Sequence, residues 1–156
     1  MSNAFLFDYG ISFKKSGVIE IFPAAEIRTI NRKGEPISLF LLIDSGASIS
    51  ALPKEDAFAL GIEAENGTQV YVGGISNEAV RGWQHNLKVN ICNQKITAPF
   101  IFLDNSNAPR ILGRAIFFEK FSILFEGKNR RTGFFPANSK EAKAVKKIVD
   151  KIWLVD

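Results

Sequence analysis

Histidine, cysteine and methionine are nearly missing: the chain of 156 residues carries one of each. One His and one Cys cannot build a zinc site of the His/Cys-rich kind, and no metal or organic cofactor is expected. The single Cys92 forbids an intrachain disulfide and fits a reducing compartment, so a cytoplasmic location is expected. A Ser-His-Asp arrangement could use only His85, and no G-x-S-x-G accompanies it. Long hydrophobic runs are also lacking. The longest, Leu39 to Ile43, is five residues, whereas a membrane-spanning helix takes about 20, so no membrane association is expected. The opening residues, MSNAFLFDYG, have neither a basic start nor a long apolar stretch and predict no signal peptide.

Charge of one sign is scarce except at one end. Five lysines (Lys140, Lys143, Lys146, Lys147 and Lys151) face only Glu141 and Asp150 between residues 138 and 153, a net +3 out of the chain's +4. The rest is nearly neutral and offers no basic face dense enough for phosphate contacts, so nucleic acid is not an expected partner.

What is present is a series of short apolar or alternating runs: Val18–Phe22, Ile27–Ile30, Ile37–Ile43, Gln69–Val72, Leu87–Ile91, Ile96–Leu103, Phe121–Phe125 and Gly133–Phe135. Gly34, Asn66-Gly67, Gly73-Gly74, Asn93, Asn105–Pro109 and Gly127 interrupt them. Runs rich in Val, Ile, Phe and Thr, broken at this spacing, predict one compact all-β domain over residues 1–137. The 14 Phe residues suit a core of bulky side chains between packed sheets. Short helices are predicted from Pro53 to a stop at Gly61, where Glu55 and Asp56 complement the positive end of the helix dipole, and over Gly113–Lys120. Residues 138–156 predict a C-terminal amphipathic helix capped by Asn138 with Glu141 three residues on. Its stripe of Ala142, Val145, Ile148, Val149 and Ile152 is expected to pack on the domain or on a dimer partner. His85 reads as a surface residue and Cys92 as a small buried or edge side chain.

Leu39-Phe40-Leu41-Leu42-Ile43 has the pattern of a buried strand and runs straight into Asp44-Ser45-Gly46-Ala47. An ionisable group at the end of an apolar strand is costly unless something uses or pairs it. Average residue usage gives D-[ST]-G-A by chance in well under about one in fifty chains of this length. A plain turn capped by Ser45 is the other reading of the tetrapeptide. Context favours chemistry. Further on stands Ile111-Leu112-Gly113-Arg114, again a compact apolar pair leading into Gly. Between the two, Val70-Tyr71-Val72-Gly73-Gly74-Ile75 and the returning Ala79–Trp83 predict a hairpin with backbone freedom at its tip.

On these residues the chain resembles the retropepsin-like aspartic proteases, the single-lobe relatives of pepsin. IDSGASISALPKEDAFALGI is similar to the active-site segment of cellular and bacterial members, ILGRAIFFEKF to the hydrophobic-hydrophobic-Gly motif with its short helix, and YVGGISNEAV to a flap. The resemblance spans roughly residues 37–135. Ser45 stands for the commoner Thr, Ser48 for an Asp frequent in viral members, and Ala115 for Asp or Asn, so a pairing of Arg114 with an acid is not carried over.

The resemblance implies a closed β-barrel of the acid protease fold and an aspartic endopeptidase that needs no cofactor. Two carboxylates sharing one proton would activate water and polarise the scissile carbonyl. Asp104-Asn105-Ser106 lacks the Gly of a second copy, so each chain would give one Asp44 to a homodimer acting on a peptide or protein substrate. Ser45 and Gly46 would complete the catalytic loop, with Ser45 bonding across the axis. Ala47, Val72, Gly73, Gly74 and Ile75 would contact substrate, and Ile111, Leu112 and Gly113 would support Asp44 from beneath. Two rivals remain open: a catalytically silent dimer of this fold that binds peptides or proteins, and an interaction protein whose basic tail carries the function.

Overall fold

The computed structural model describes residues 5–73 and 79–153. The chain opens with β1 (Phe5–Asp8) and a hairpin of β2 (Gly10–Phe13) and β3 (Ile19–Phe22). There follow β4 (Ala24–Ile30), β5 (Pro36–Ile43), β6 (Ser50–Pro53), α1 (Lys54–Ala59), β7 (Thr68–Val72), β8 (Val80–Ile91), β9 (Gln94–Leu103) and β10 (Ile111–Leu112). The chain continues through α2 (Phe117–Lys120), β11 (Phe121–Glu126), β12 (Arg131–Pro136) and α3 (Lys140–Trp153).

Seven strands form one sheet in the order β4-β5-β10-β6-β9-β8-β7, and the pairing of Arg28 in β4 with Asn90 in β8 closes it into a ring. The expected barrel is this ring. A second sheet, β1-β12-β11, lies beside it. Alternation along β5 sends Leu39, Leu41 and Ile43 into the core and leaves Phe40 exposed. The core is aromatic at its centre: Phe100 meets Phe117 edge-on at 6.1 Å, and Phe134 meets Phe7 at 5.3 Å and Phe121 at 5.6 Å. Phe13, Phe40 and Phe58, by contrast, are exposed.

The predicted strands are present with shifted ends. The returning stretch after the flap and Leu87–Ile91 are a single strand, β8, because its polar middle is held by pairing with β9, His85 opposite Phe100. The sequence runs hide β1, β2 and β6. Each is four residues long, and β1 and β6 are defined by partners remote in the chain: β1 by β12, β6 by β9 in parallel.

The helices need three corrections. Pro53 precedes α1 rather than opening it, and the stop at Gly61 is a double-bonded cap: Gly61, at φ +69°, donates to the Phe58 carbonyl and Ile62 to that of Ala57. The helix predicted from Gly113 starts only at Phe117. The N–H groups of Arg114 and Ala115 are taken by the carbonyls of Ala47 and Ser48, and Ile116 is left-handed at φ +70°. In α3 the cap is Ser139, not Asn138. The buried Ser139 hydroxyl accepts the Ala142 N–H at 3.0 Å and its carbonyl accepts that of Lys143.

Candidate active site

β5 and β6 are consecutive in the chain but not neighbours in the sheet, because β10 lies between them, parallel to β5 and antiparallel to β6. The loop joining β5 to β6, residues 44–49, therefore arches over the end of β10, and both sides hold it. Leu42 N–H donates to the Arg110 carbonyl at 2.9 Å and Asp44 N–H to that of Leu112 at 3.0 Å. On the far side the Ala47 and Ser48 carbonyls take the N–H groups of Arg114 and Ala115, both at 2.9 Å. Asp44 is half-buried at the apex. One carboxylate oxygen accepts the Gly46 N–H at 2.8 Å, which folds the Asp44-Ser45-Gly46 turn back on its own acid. Ser45 and Gly46 are exposed and Ala47 is half-buried.

Ile111, Leu112 and Gly113 lie beneath this loop. Leu112 is fully buried opposite Ile43, and the Gly113 N–H donates to the Ser50 hydroxyl at 3.0 Å. A methyl group on Gly113 would sit 2.5 Å from the Ile49 carbonyl carbon and 2.8 Å from the Ser50 nitrogen, so only Gly allows the two segments to touch. Val72 pairs with Val80, the last pair of the β7–β8 hairpin before its turn. Val70, Val72 and Val80 pack with Ile111 and Ile49 around Ala51, Ile101 and Leu103. One apolar floor thus joins this end of the hairpin to the Asp44 loop. Gly73 is exposed with open space around it. Gly74 and Ile75 lie outside the described residues.

Several supports had no signal in the sequence. Asp56, buried on α1, takes two hydrogen bonds of 2.7 Å from Arg110, fastening α1 to the start of β10. Those bonds raise the Arg110 pKa above its ordinary value. An acid on the inner face of α1 was the one available hint, and nothing in the chain points from it to a partner 54 residues on. Ser50, the cradle of Gly113, is likewise an ordinary small residue in sequence.

Asp104 is bound to Arg81 at 2.5 and 3.2 Å, and these hydrogen bonds hold its carboxyl below the usual range. It is a structural acid. His85 is a correction: its Nε2 lies 2.8 Å from the Ala64 carbonyl and its ring meets Phe102 edge-on, so it ties the segment after α1 to β8. Cys92 occupies the β8–β9 turn in a left-handed conformation, and burial pushes its thiol up to about 12. Among the described residues, no three His, Cys, Asp or Glu side chains come together as metal ligands, and no helix is long and apolar enough to cross a membrane.

No protein-family model matches the chain, and no curated protein matches its sequence. Solved structures do match. A retropepsin-like aspartic protease from Rickettsia conorii superposes with a TM-score of 0.57 at 15% identity, over 83% of this chain and 97% of that one. EIAV protease in complex with an inhibitor gives 0.43 at 22% identity, over 60% of this chain and 82% of that one. With a ring of strands and an Asp-Ser-Gly loop arched over an Ile-Leu-Gly strand, the chain has the retropepsin-like fold.

Proposed function

We propose that the chain is an aspartic endopeptidase whose active unit is a homodimer with one Asp44 from each copy. The observation that carries this reading is the half-buried Asp44 at the apex of a loop held on both sides by β10 and the residues after it, in a retropepsin-like fold. Among the described residues no cation pairs with it, so it is available for proton transfer.

Two such carboxyls facing each other share one proton, because like charges at that range cannot both ionise. The ionised one takes a proton from water as its oxygen attacks the scissile carbonyl carbon, and the protonated one donates to the carbonyl oxygen. The proton taken from water then passes to the leaving amine nitrogen as the C–N bond breaks. One hydroxyl of the tetrahedral intermediate returns its proton to the other carboxylate, which restores the shared-proton pair. The Gly46 N–H holds each carboxylate in place, and Ser45 bonds across the axis. Ile111, Leu112 and Gly113 fix the height of the loop. Ala47, Val72, Gly73, Gly74 and Ile75 contact the peptide and, with the hairpin over it, exclude water. No metal or organic cofactor enters these steps. The lone, half-buried Cys92 supports a cytoplasmic location within the same reading.

Asp44→Asn keeps the shape but can neither take nor share a proton. Cleavage of a mixed peptide library should be lost, while light scattering still finds the dimer and peptide binding persists. Undiminished cleavage by this variant would remove Asp44 from catalysis. A wild-type chain that binds peptides and cuts none would make the fold a binding module.

A further inference from the structure

In the β2–β3 hairpin Ile11 lies opposite Ile21 and Phe13 opposite Ile19, while Gly10 faces Phe22 and Ser12 faces Glu20. Directly opposed residues share a face. One face of the ribbon is therefore Ile11, Phe13, Ile19 and Ile21, and the other carries Ser12, Glu20 and Phe22. The second face lines, with Phe40, Leu42 and Pro109, a cavity of about 430 Å³ that is open to solvent, and Glu20 on this face is itself exposed. The first face is bare. Phe13 is 79% exposed, Ile11 60%, Ile19 58% and Ile21 41%. Four large apolar side chains on a two-stranded ribbon that none of the described residues backs are unusual, since such a ribbon is marginal in water unless one face is packed.

We propose that a second copy of the chain covers this face, and that the hairpin is an arm gripping the partner beside the active site. This rests on the reading of the protein as a homodimeric endopeptidase, and adds where the dimer is held. Area is the first argument. The short Asp44-Ser45-Gly46 loops give only a small contact, whereas a stable interface takes about 800 Å² from each partner. The four side chains of the arm expose on the order of 400 Å², a patch as large as the largest on many monomers. Position is the second. Phe22, at the end of β3, lines the same cavity as Leu42, two residues ahead of Asp44, so the arm stands next to the loop that must meet its counterpart. Charge is the third. The face carries none, and an uncharged apolar face is compatible with the self-complementary contact of a two-fold axis.

The full chain carrying Phe13→Thr and Ile19→Thr keeps strand-forming residues and loses apolar area. Sedimentation equilibrium should show the dimer dissociation constant raised at least tenfold. Library cleavage per mole should fall at low protein concentration and return at high concentration. Ile11→Glu provides a second variant: it places like charges near the axis, so its dimer should be weaker at low salt than at high salt. A dimer with wild-type dissociation constants in both variants overturns the arm and leaves the endopeptidase reading standing. A dimer weakened by the substitutions in a protein that cuts no peptide upholds the arm and removes the enzyme. A wild-type chain monomeric at every concentration overturns both. Binding to phosphatidylglycerol vesicles that the substitutions abolish, with the dimer unchanged, gives the face to lipid and overturns the arm.

Discussion

Gly113 shows how little room the site leaves. Its Cα faces the backbone of Ile49 and Ser50, neither of which can swing aside as a side chain would. Gly113→Ala must push β10 away from the Asp44 loop, at a cost of about 1–3 kcal/mol. Urea unfolding should register that loss. Cleavage should fall further than the fraction unfolded explains, because Asp44 hangs from the Leu112 carbonyl one residue away. Activity that follows the folded fraction alone would mean the loop tolerates the shift. Ser50 belongs to the same contact, since its hydroxyl accepts the Gly113 N–H.

At the scale of elements, the site depends on α1 and β10 keeping their places. Arg110 reaches from the start of β10 to Asp56 on α1, and α1 follows β6 directly. Asp56→Ala leaves the guanidinium without its partner. Arg110 is about half exposed and is partly rescued by water, so the expected loss is about 2 kcal/mol. The check is a double-mutant cycle in urea with Arg110→Ala. The two losses should be markedly less than additive, and simple additivity would show that the bond contributes nothing. α3 is anchored differently. Its first turn is capped by Ser139 and buries Ala142, while Ile148, Val149 and Ile152 remain exposed, so within one chain the helix docks by its N-terminal end.

For the whole molecule, the proposed pair of Asp44 carboxyls sharing one proton sets the shape expected of the pH profile. At low pH both are protonated and no base is left to take a proton from water. At high pH both are ionised, and no acid is left to polarise the carbonyl. Library cleavage should therefore trace a bell whose two limbs belong to the pair. The optimum should lie at or below neutrality. A rate rising steadily into alkaline pH would exclude the shared-proton mechanism.

Much of this was legible in the chain because it is written locally. The alternation of β5 and the apolar runs of β9 and β11 announce strands in a few residues each. Asp44 is conspicuous because an acid directly follows an apolar run. The Gly61 stop could be read for the same reason, since a left-handed position favours glycine at that residue itself. Tertiary structure decided what depends on distant partners. β10 is two residues that become a strand only between β5 and β6, and β1 is a strand only against β12. Asp56 acquires its role from Arg110 and Ser50 from Gly113, across 54 and 63 residues. Nor does composition tell a Phe of the core from one on the surface: Phe100 is fully buried and Phe40 largely exposed. Side-chain chemistry and short-range periodicity are properties of neighbours in the chain, whereas burial and hydrogen-bond partners are set by which segments the closed ring of strands brings together.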